Sequence, residues 1–288
     1  MDVVSKLPKI RAVQHKAFTL IELLVVIAII ALLLAIIMPS LNLVKKKAAA
    51  AVCLVNTKNL STAWFMYQES NNGRLVSPNT GENGWVGEPE KEYGGACYAD
   101  SGEVTDADEI RGIEKGKLYP YLEDPDVYHC PADNQRTSKY DYGKIFRTYS
   151  IVAALDNRYT GRFLKIKTPG TKINFVEESE GRNFNVGGWE FYAANDPANG
   201  PDPYWRDPIG INHGSSGILG YCDGHAENHK WRDEDTIERV QYYFDNTSIQ
   251  GYGNGGGQLN NVYKGGGLYD PTQTTDINYV NNAWAYRF

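Results

Sequence analysis

An uninterrupted apolar stretch near the N-terminus limits what this chain can fold into. Every residue from Leu23 to Met38 is Leu, Val, Ile, Ala or Met, and between Phe18 and Met38 only Thr19 and Glu22 are polar. At about 1.5 Å per residue, a helix of this length approaches the roughly 30 Å thickness of a bilayer core. We therefore expect one membrane-spanning helix at this position.

An ordinary secretory signal peptide is the alternative to a retained helix. Its apolar region is about 7–15 residues long and ends at a small-residue cleavage site. Here the run is longer, Pro39-Ser40 follows it, and a further helix-favouring segment comes next. These departures favour a helix that remains in the mature protein.

The charge of the chain is unevenly distributed. The formal net charge is -6, yet residues 1–17 carry +3, which leaves -9 for the remainder. An acidic remainder argues against a nucleic-acid-binding domain. Because Lys45, Lys46 and Lys47 lie just beyond the apolar run, the positive-inside rule alone does not fix the orientation of the helix.

A specific motif precedes the apolar run. The segment over residues 16–25, KAFTLIELLV, resembles the cleavage and methylation signal of type IV prepilins and type II secretion pseudopilins. The resemblance implies that a membrane-bound prepilin peptidase and N-methyltransferase cuts between Ala17 and Phe18 and methylates the new amine. Glu22 and Pro39 then take the fifth and twenty-second positions of the mature chain, as in that family. Ala17 replaces the glycine that usually precedes the cut.

Glu22 needs a physical reason to lie in an apolar helix. A carboxylate near the centre of a membrane helix costs about 2–3 kcal/mol or more on insertion scales. The amine of Phe18 on a neighbouring subunit would lie at nearly the same depth, so pairing would neutralise both charges and set the register between subunits. In the alternative, Glu22 reaches the cytoplasmic headgroups by itself.

Pro39 is expected to kink or loosen the helix near the membrane exit, because it lacks a backbone donor. The helix should then resume, since apolar residues recur at spacings of three and four. These residues are Leu41, Val44, Ala48, Val52 and Val55, followed by Leu60, Trp64 and Tyr67. We predict a leader over residues 1–17 and a transmembrane and spine helix over 18–68.

The remaining chain reads as an α+β head over residues 69–247 and a tail over 248–288. Gly, Pro, Asn and Asp interrupt the head every few residues, and segments 147–152, 172–176 and 217–222 are typical of strands. We expect a mainly antiparallel sheet with many loops, laid on the outer part of the helix. The Gly-, Asn- and Tyr-rich tail is either mobile or wraps its aromatic side chains over the head.

A second signature lies in the head. Asp223-Gly224 between two strand-like runs predicts a hairpin with a two-residue type I′ turn. Nine residues separate His213 from Asp223, and this H-x9-DG spacing resembles an element of large pseudopilin-like proteins of Planctomycetes and related bacteria. Residues 130–133, Cys-Pro-Ala-Asp, resemble another element of the same group.

Metal binding by the head is a weaker hypothesis. Two histidines and a carboxylate can hold zinc or iron. The candidates are His213, Asp223, His225, Glu227 and His229. The alternative is the solvent face of an edge hairpin, and the acidic residues Asp196, Asp202 and Asp207 fit no specific calcium loop. We therefore expect no cofactor and no catalytic residue.

Four cysteines allow three pairings if all are bonded. In an oxidising compartment we prefer a disulfide between Cys97 and Cys130, with Cys53 free on the helix. The alternative is four buried thiols.

These features favour a structural subunit that is held in the bacterial inner membrane, with a cytoplasmic N-terminus and an extracytoplasmic head. The resemblance implies assembly with itself and other pseudopilins, through an inner-membrane platform, into a secretion or pilus-like filament. Two alternatives stay open: a surface module that binds polysaccharide through exposed aromatic and amide side chains, and a metal-dependent hydrolase.

Overall fold

The computed structural model describes residues 20–95, 97, 104–133, 146–157, 160–178, 187–194, 203–238, 240 and 275–284. The chain divides into two compact units, Met1–Lys45 and Lys46–Phe288. The predicted cut between Ala17 and Phe18 lies outside the described residues.

The first element, α1, is one helix over Leu20–Ser70 that runs through Pro39 without interruption. This confirms that the predicted helix resumes after the proline. The Ser40 hydroxyl donates a hydrogen bond to the Ile37 carbonyl at 2.7 Å. In the first unit every described side chain of α1 is exposed to the surroundings, from Leu20 onward. A helix that is apolar on all sides has no face suited to water, so it requires lipid or other helices around it.

In the second unit, one face of α1 is buried in the head. That face consists of Cys53, Thr57, Leu60, Ser61, Ala63, Trp64 and Gln68, mostly at helical spacings of three and four. The predicted apolar stripe is therefore wrong in its first half, since Val52 and Val55 are 48% and 55% exposed. In this half periodicity selected Val52 and Val55, whereas the buried positions are the smaller or polar Cys53 and Thr57.

The head contains six strands and two further helices among its described residues. In chain order they are α2 (Asp106–Lys115), β1 (Tyr149–Ile151), β2 (Ile173–Glu177), β3 (Phe191–Tyr192), β4 (Tyr204–Trp205), β5 (Ser216–Tyr221), β6 (Ala226–Lys230) and α3 (Thr275–Ala283). Four of the strands form an antiparallel sheet in the order β1-β2-β5-β6, and β3 pairs with β4 separately. A long N-terminal helix with a mainly antiparallel sheet is the α+β architecture that the sequence predicts.

A glycine in the central strand β5 allows the close approach of α1 to the sheet. A Cβ atom on Gly220 would overlap the hydroxyl of Ser61 and would lie 2.8 Å from Asn174 Oδ1. The Ser61 hydroxyl donates to the same Asn174 oxygen at 3.0 Å, and both residues are buried. Glycine usually weakens a strand interior, but here it admits a helix and its hydrogen bond.

The hairpin between β5 and β6 is confirmed, but its predicted type I′ turn is wrong. That turn needs a positive φ at two residues, whereas only Gly224 has one here, at +93°. The Gly224 N–H donates to the Tyr221 carbonyl, and the Tyr221 N–H donates to the His225 carbonyl, both at 2.9 Å. Three residues thus form the loop, with the glycine in its left-handed position.

The described part of the tail packs on the head. Asp276, at the start of α3, accepts hydrogen bonds from the backbone N–H groups of Arg232 and Asp233 at 2.9 Å. Val280 is fully buried, and the Trp284 ring lies edge-on to Trp189 with 5.9 Å between ring centroids. Of the two alternatives for the tail, residues 275–284 follow the one in which aromatic side chains wrap over the head.

We predict that Gly220→Ala lowers the free energy of unfolding of the head by about 1–3 kcal/mol, the usual cost of overpacking a core. Urea denaturation of the full chain in detergent, followed by tryptophan fluorescence, measures the change. Gly187→Ala is the matched control, because a Cβ there has no atom within 4 Å. The double variant Gly220→Ala/Ser61→Ala should recover part of the loss. Equal stability of Gly220→Ala and Gly187→Ala would contradict the close approach of α1 to β5.

Candidate functional site

The N-terminal candidates divide between described and undescribed residues. Ala17 and Phe18 lie outside the described residues, so their prediction stays untested. Glu22 lies in the first turn of α1, where a carboxylate interacts favourably with the helix dipole. Its position one turn inside the apolar segment is the one that the pairing hypothesis requires.

The apolar part of α1 is the largest candidate surface. Its large side chains from Leu20 to Met38 are between 46% and 83% exposed. Among the described residues α1 is the one helix whose length and composition suit a membrane span. A contiguous apolar surface of this extent indicates contact with membrane or protein.

The signature histidine lies in the head interior. The side chain of His213 is 2% exposed, and its Nε2 atom lies 2.9 Å from Oε1 of Glu177, whose side chain is fully buried. The other oxygen of Glu177 accepts the Ile218 N–H at 3.0 Å. Since a buried carboxylate is costly without partners, these two contacts explain how Glu177 is held at the end of β2.

A disulfide lies next to this pair, and it is not the one that we predicted. Cys130 is bonded to Cys53 of α1, with a Cα–Cα distance of 5.4 Å. The prediction of a Cys97–Cys130 disulfide is therefore wrong, and so is the prediction of a free Cys53. Cys97 is a buried thiol that packs with Val104, apart from the main core. The compartment argument predicted that a disulfide exists, but only the path of α1 identifies the partner.

The two sequence elements named by the resemblance meet at this disulfide. Sγ of Cys130 lies 3.5 Å from Nε2 of His213, across 83 residues of sequence. Beside it, the Thr148 hydroxyl accepts the Cys130 N–H and donates to Asp133, each at 3.0 Å. The Cys-Pro-Ala-Asp element thus fixes Cys130 in a turn, and His213 approaches from the loop before β5.

The other signature residues lie at the tip of the hairpin. Asp223 accepts the backbone N–H of His225 at 3.2 Å and lies 2.5 Å from its Nδ1 atom. Burial acts to raise the pKa of Asp223, but the hydrogen bonds from His225 dominate and hold the pKa below its ordinary value. His213 precedes β5 and Asp223 follows it, so the strand separates them by about 20 Å. These two residues do not form one site.

Glu227 and His229 lie on β6 beneath α3. One oxygen of Glu227 accepts the hydroxyls of Tyr221 and Tyr279, at 2.5 Å and 2.6 Å. The His229 ring stacks on Tyr279 at 4.0 Å between centroids, and burial lowers its pKa. The five metal candidates therefore occupy three separate places. His213 lies beside Glu177, Asp223 and His225 lie at the tip of the hairpin, and Glu227 and His229 lie beneath α3.

One group among the described residues is close enough to share a metal ion. It consists of Cys53, Cys130, Glu177 and His213, whose ligand atoms all lie within 4.8 Å of one another. Of its four members, only His213 was among the predicted metal candidates, and Cys53, Cys130 and Glu177 were not. The available sequence signal for Glu177 was the position of a carboxylate directly after the strand-like segment 172–176.

The calcium candidates give no site in the described part of the chain. Asp207 uses its Oδ2 atom to accept the Glu190 N–H at 2.7 Å. Asp196 and Asp202 lie outside the described residues.

A polar cleft opens on the head surface, with a volume of about 670 Å³. Its lining combines one aromatic ring, two amides and three cations: Tyr67, Asn83, Asn157, Arg74, Arg162 and Lys165. Cations paired with amides and an aromatic ring suit an anionic, hydroxyl-rich ligand.

Comparison with known proteins identifies the N-terminal segment. A family model described as the prokaryotic N-terminal methylation motif matches residues 14–38. No curated protein and no solved structure matches the chain. The matched residues include the predicted cut, Glu22 and the apolar run. The chain therefore carries a prepilin-like signal, as precursors of type IV pilins and pseudopilins do, on an apolar helix that fits a single-pass membrane anchor.

Proposed function

We propose that the protein is a pseudopilin-like structural subunit that is processed before Phe18 and assembled through α1 into a type II secretion or type IV pilus-like filament. The observation that carries the proposal is the position of the methylation motif. It covers the start of a helix whose apolar side chains are exposed on every side. Proteins that carry this motif have structural roles, so the motif supports a function in assembly more than a catalytic one.

Burial of the apolar helix supplies the driving force. In the inner membrane, lipid covers α1; in a filament, the helices of neighbouring subunits would cover it instead. The exposed Val52 and Val55 extend the apolar surface into the head unit, where water would otherwise meet them. Neighbouring subunits would bury these two side chains. The exposed side of α1 that carries them therefore suits contact between subunits.

The disulfide supports an extracytoplasmic head. Disulfides persist in the periplasm and outside the cell, and they are rare in the cytosol. Cys53 and Cys130 both belong to the head unit. The cytoplasmic leader would then be accessible to a prepilin peptidase at the inner face of the membrane, and the assembly platform would receive the processed subunit there.

Processing is the first prediction. Intact-mass analysis and N-terminal sequencing of the membrane-extracted protein should find a chain that begins at N-methylated Phe18. Replacing Ala17 with a bulky residue should retain the leader and abolish assembly, because the mature amine is never exposed. Ala17→Gly is the matched control and should process normally. A wild-type chain that still begins at Met1, or an uncleaved variant that assembles, would remove the proposal.

The second prediction concerns Glu22. Glu22→Gln removes the charge that would pair with the Phe18 amine of a neighbour, so the variant should be inserted and processed but should not enter filaments at wild-type levels. Cross-linking between subunits, followed by a sheared-filament assay, measures assembly, with Thr19→Ser as a control for a polar change in the same turn. Wild-type assembly of Glu22→Gln would show that Glu22 acts alone, at the headgroups.

The cleft supports a second candidate function, a membrane-anchored module that binds polysaccharide. Its cations, Arg74, Arg162 and Lys165, narrow the ligand to an acidic glycan, and Tyr67 offers a ring for stacking.

If this candidate is correct, the detergent-solubilised protein is retarded in an affinity gel that contains an acidic polysaccharide such as alginate or polygalacturonate. The double variant Arg74→Gln/Arg162→Gln should lose that retardation, while Lys230→Gln, a cationic change elsewhere on the head, should retain it. Absence of retardation across neutral and acidic glycans would count against this function and leaves the assembly proposal untouched.

A further inference from the structure

The cluster of Cys53, Cys130, Glu177 and His213 joins four distant parts of the chain. Cys53 lies on α1, Cys130 follows a short 3-10 helix, Glu177 ends β2, and His213 precedes β5. Their side chains lie in the interior, since both sulfurs and Glu177 are fully buried and the His213 side chain is 2% exposed. The group is thus distinct from a surface cluster of acidic residues.

Two of the distances among the ligand atoms are close to those around a tetrahedral metal ion, and the two sulfurs, which are bonded to each other here, would separate to about 3.8 Å after reduction. With metal–sulfur and metal–nitrogen bonds of about 2.3 Å and 2.0 Å, neighbouring ligand atoms lie about 3.3–3.8 Å apart. Sγ of Cys130 and Nε2 of His213 are 3.5 Å apart, within this range. Nε2 of His213 and Oε1 of Glu177 are 2.9 Å apart and would separate by a few tenths of an ångström.

The second oxygen of Glu177 is already engaged, because it accepts the Ile218 N–H at 3.0 Å. This bond leaves Oε1 directed toward the histidine and the sulfurs. Hydrogen bonds of this kind orient a ligating carboxylate in protein metal sites. The Thr148 hydroxyl similarly fixes the backbone of Cys130 at 3.0 Å. Glu177 and Cys130 therefore have their orienting partners in place, whereas Nδ1 of His213 is buried without a hydrogen-bond partner among the described residues.

We propose that the reduced chain binds one thiophilic divalent cation of the zinc class at this cluster, and that the Cys53–Cys130 disulfide and the bound metal are alternative states of one site. Two thiolates, an imidazole and a carboxylate form a closed set of four ligands, each of a kind that binds zinc, and the sulfur and nitrogen ligands are unsuited to calcium. Either state joins α1 to the head at the same point, and the metal recruits β2 and the β5 loop as well.

The conversion between the two states requires a reductant, which we assign to the dithiol class. A dithiol gives two electrons and two protons, the Sγ–Sγ bond breaks, and the dithiol becomes a disulfide. The two cysteine thiols then lose their protons to solvent as two metal–sulfur bonds form. A newly made chain that encounters zinc before any oxidant still has both thiols. It would bind the metal directly, without prior reduction of a disulfide.

Cobalt titration tests the proposal. The full chain in detergent, reduced with a phosphine and desalted without oxygen, should bind one equivalent of Co²⁺, with sulfur-to-cobalt absorption in the near ultraviolet and the intense visible bands of tetrahedral cobalt. The oxidised chain should bind none. His213→Ala and Glu177→Gln should each weaken binding by at least about tenfold.

Two matched controls are available in the same head. Cys222→Ser removes a buried thiol outside the cluster, and His229→Ala removes a half-buried histidine on β6. Both variants should bind cobalt as the wild type does. If reduction melts the head, zinc added in excess should restore its thermal transition.

Three results would overturn the proposal. The first is a reduced, folded chain that binds no metal. The second is cobalt binding that His213→Ala and Glu177→Gln leave unchanged, which would indicate a dithiol that acts without the histidine or the carboxylate. The third is a reduced head that zinc does not restore. In each case the buried histidine–glutamate pair serves only to pack beside the disulfide.

Discussion

The structure depends on one constraint: α1 has more apolar surface than its own chain covers. Over the first unit the helix is apolar on every side, and over the second unit it buries a single face against the sheet. A helix with no polar face is stable only where lipid or other helices replace water. The methylation motif at residues 14–38 lies at the start of this helix. The motif and the uncovered surface therefore support the same conclusion, that contacts outside the chain cover this part of α1.

The buried face of α1 shows how the head accepts such a helix. Its contact with the sheet uses small and polar groups, such as Ser61 against Gly220, and a disulfide from Cys53. A disulfide that closes a loop of 77 residues restricts the unfolded chain. In the entropic model this raises the free energy of unfolding by about 4 kcal/mol. Meanwhile Val52 and Val55 stay on the outside. The head thus fixes the helix by close fit and covalent bonding and leaves Val52 and Val55 exposed.

Local signals in the sequence predicted several of the elements, but not α2, β3 or β4, and not the contacts between elements. The apolar run, the strand-like segments and the Asp223-Gly224 hairpin were predicted because each depends on neighbouring residues. The first half of the buried face, Cys53 and Thr57, was missed because the fit of Ser61 against Gly220, a residue distant in sequence, decides which helix face meets the sheet. The turn type differed because the hydrogen bond of Tyr221 to His225 adds a residue to the loop. The helix α3 in the tail was missed because its core contacts, Val280 and Trp284, need the aromatic cluster of the head.

The spacing between His213 and Asp223 has a structural explanation that the sequence alone does not reveal. His213 and Asp223 lie at opposite ends of β5, so their fixed separation measures the length of a strand and its turn, and does not indicate a shared site. Gly224 supplies the left-handed residue of that turn. At the other end of β5, His213 contacts Glu177 and lies next to the disulfide. A deletion or insertion within β5 would shift every side chain to the opposite face of the sheet. The spacing is thus what places His213 beside Cys130 while Gly220 faces α1.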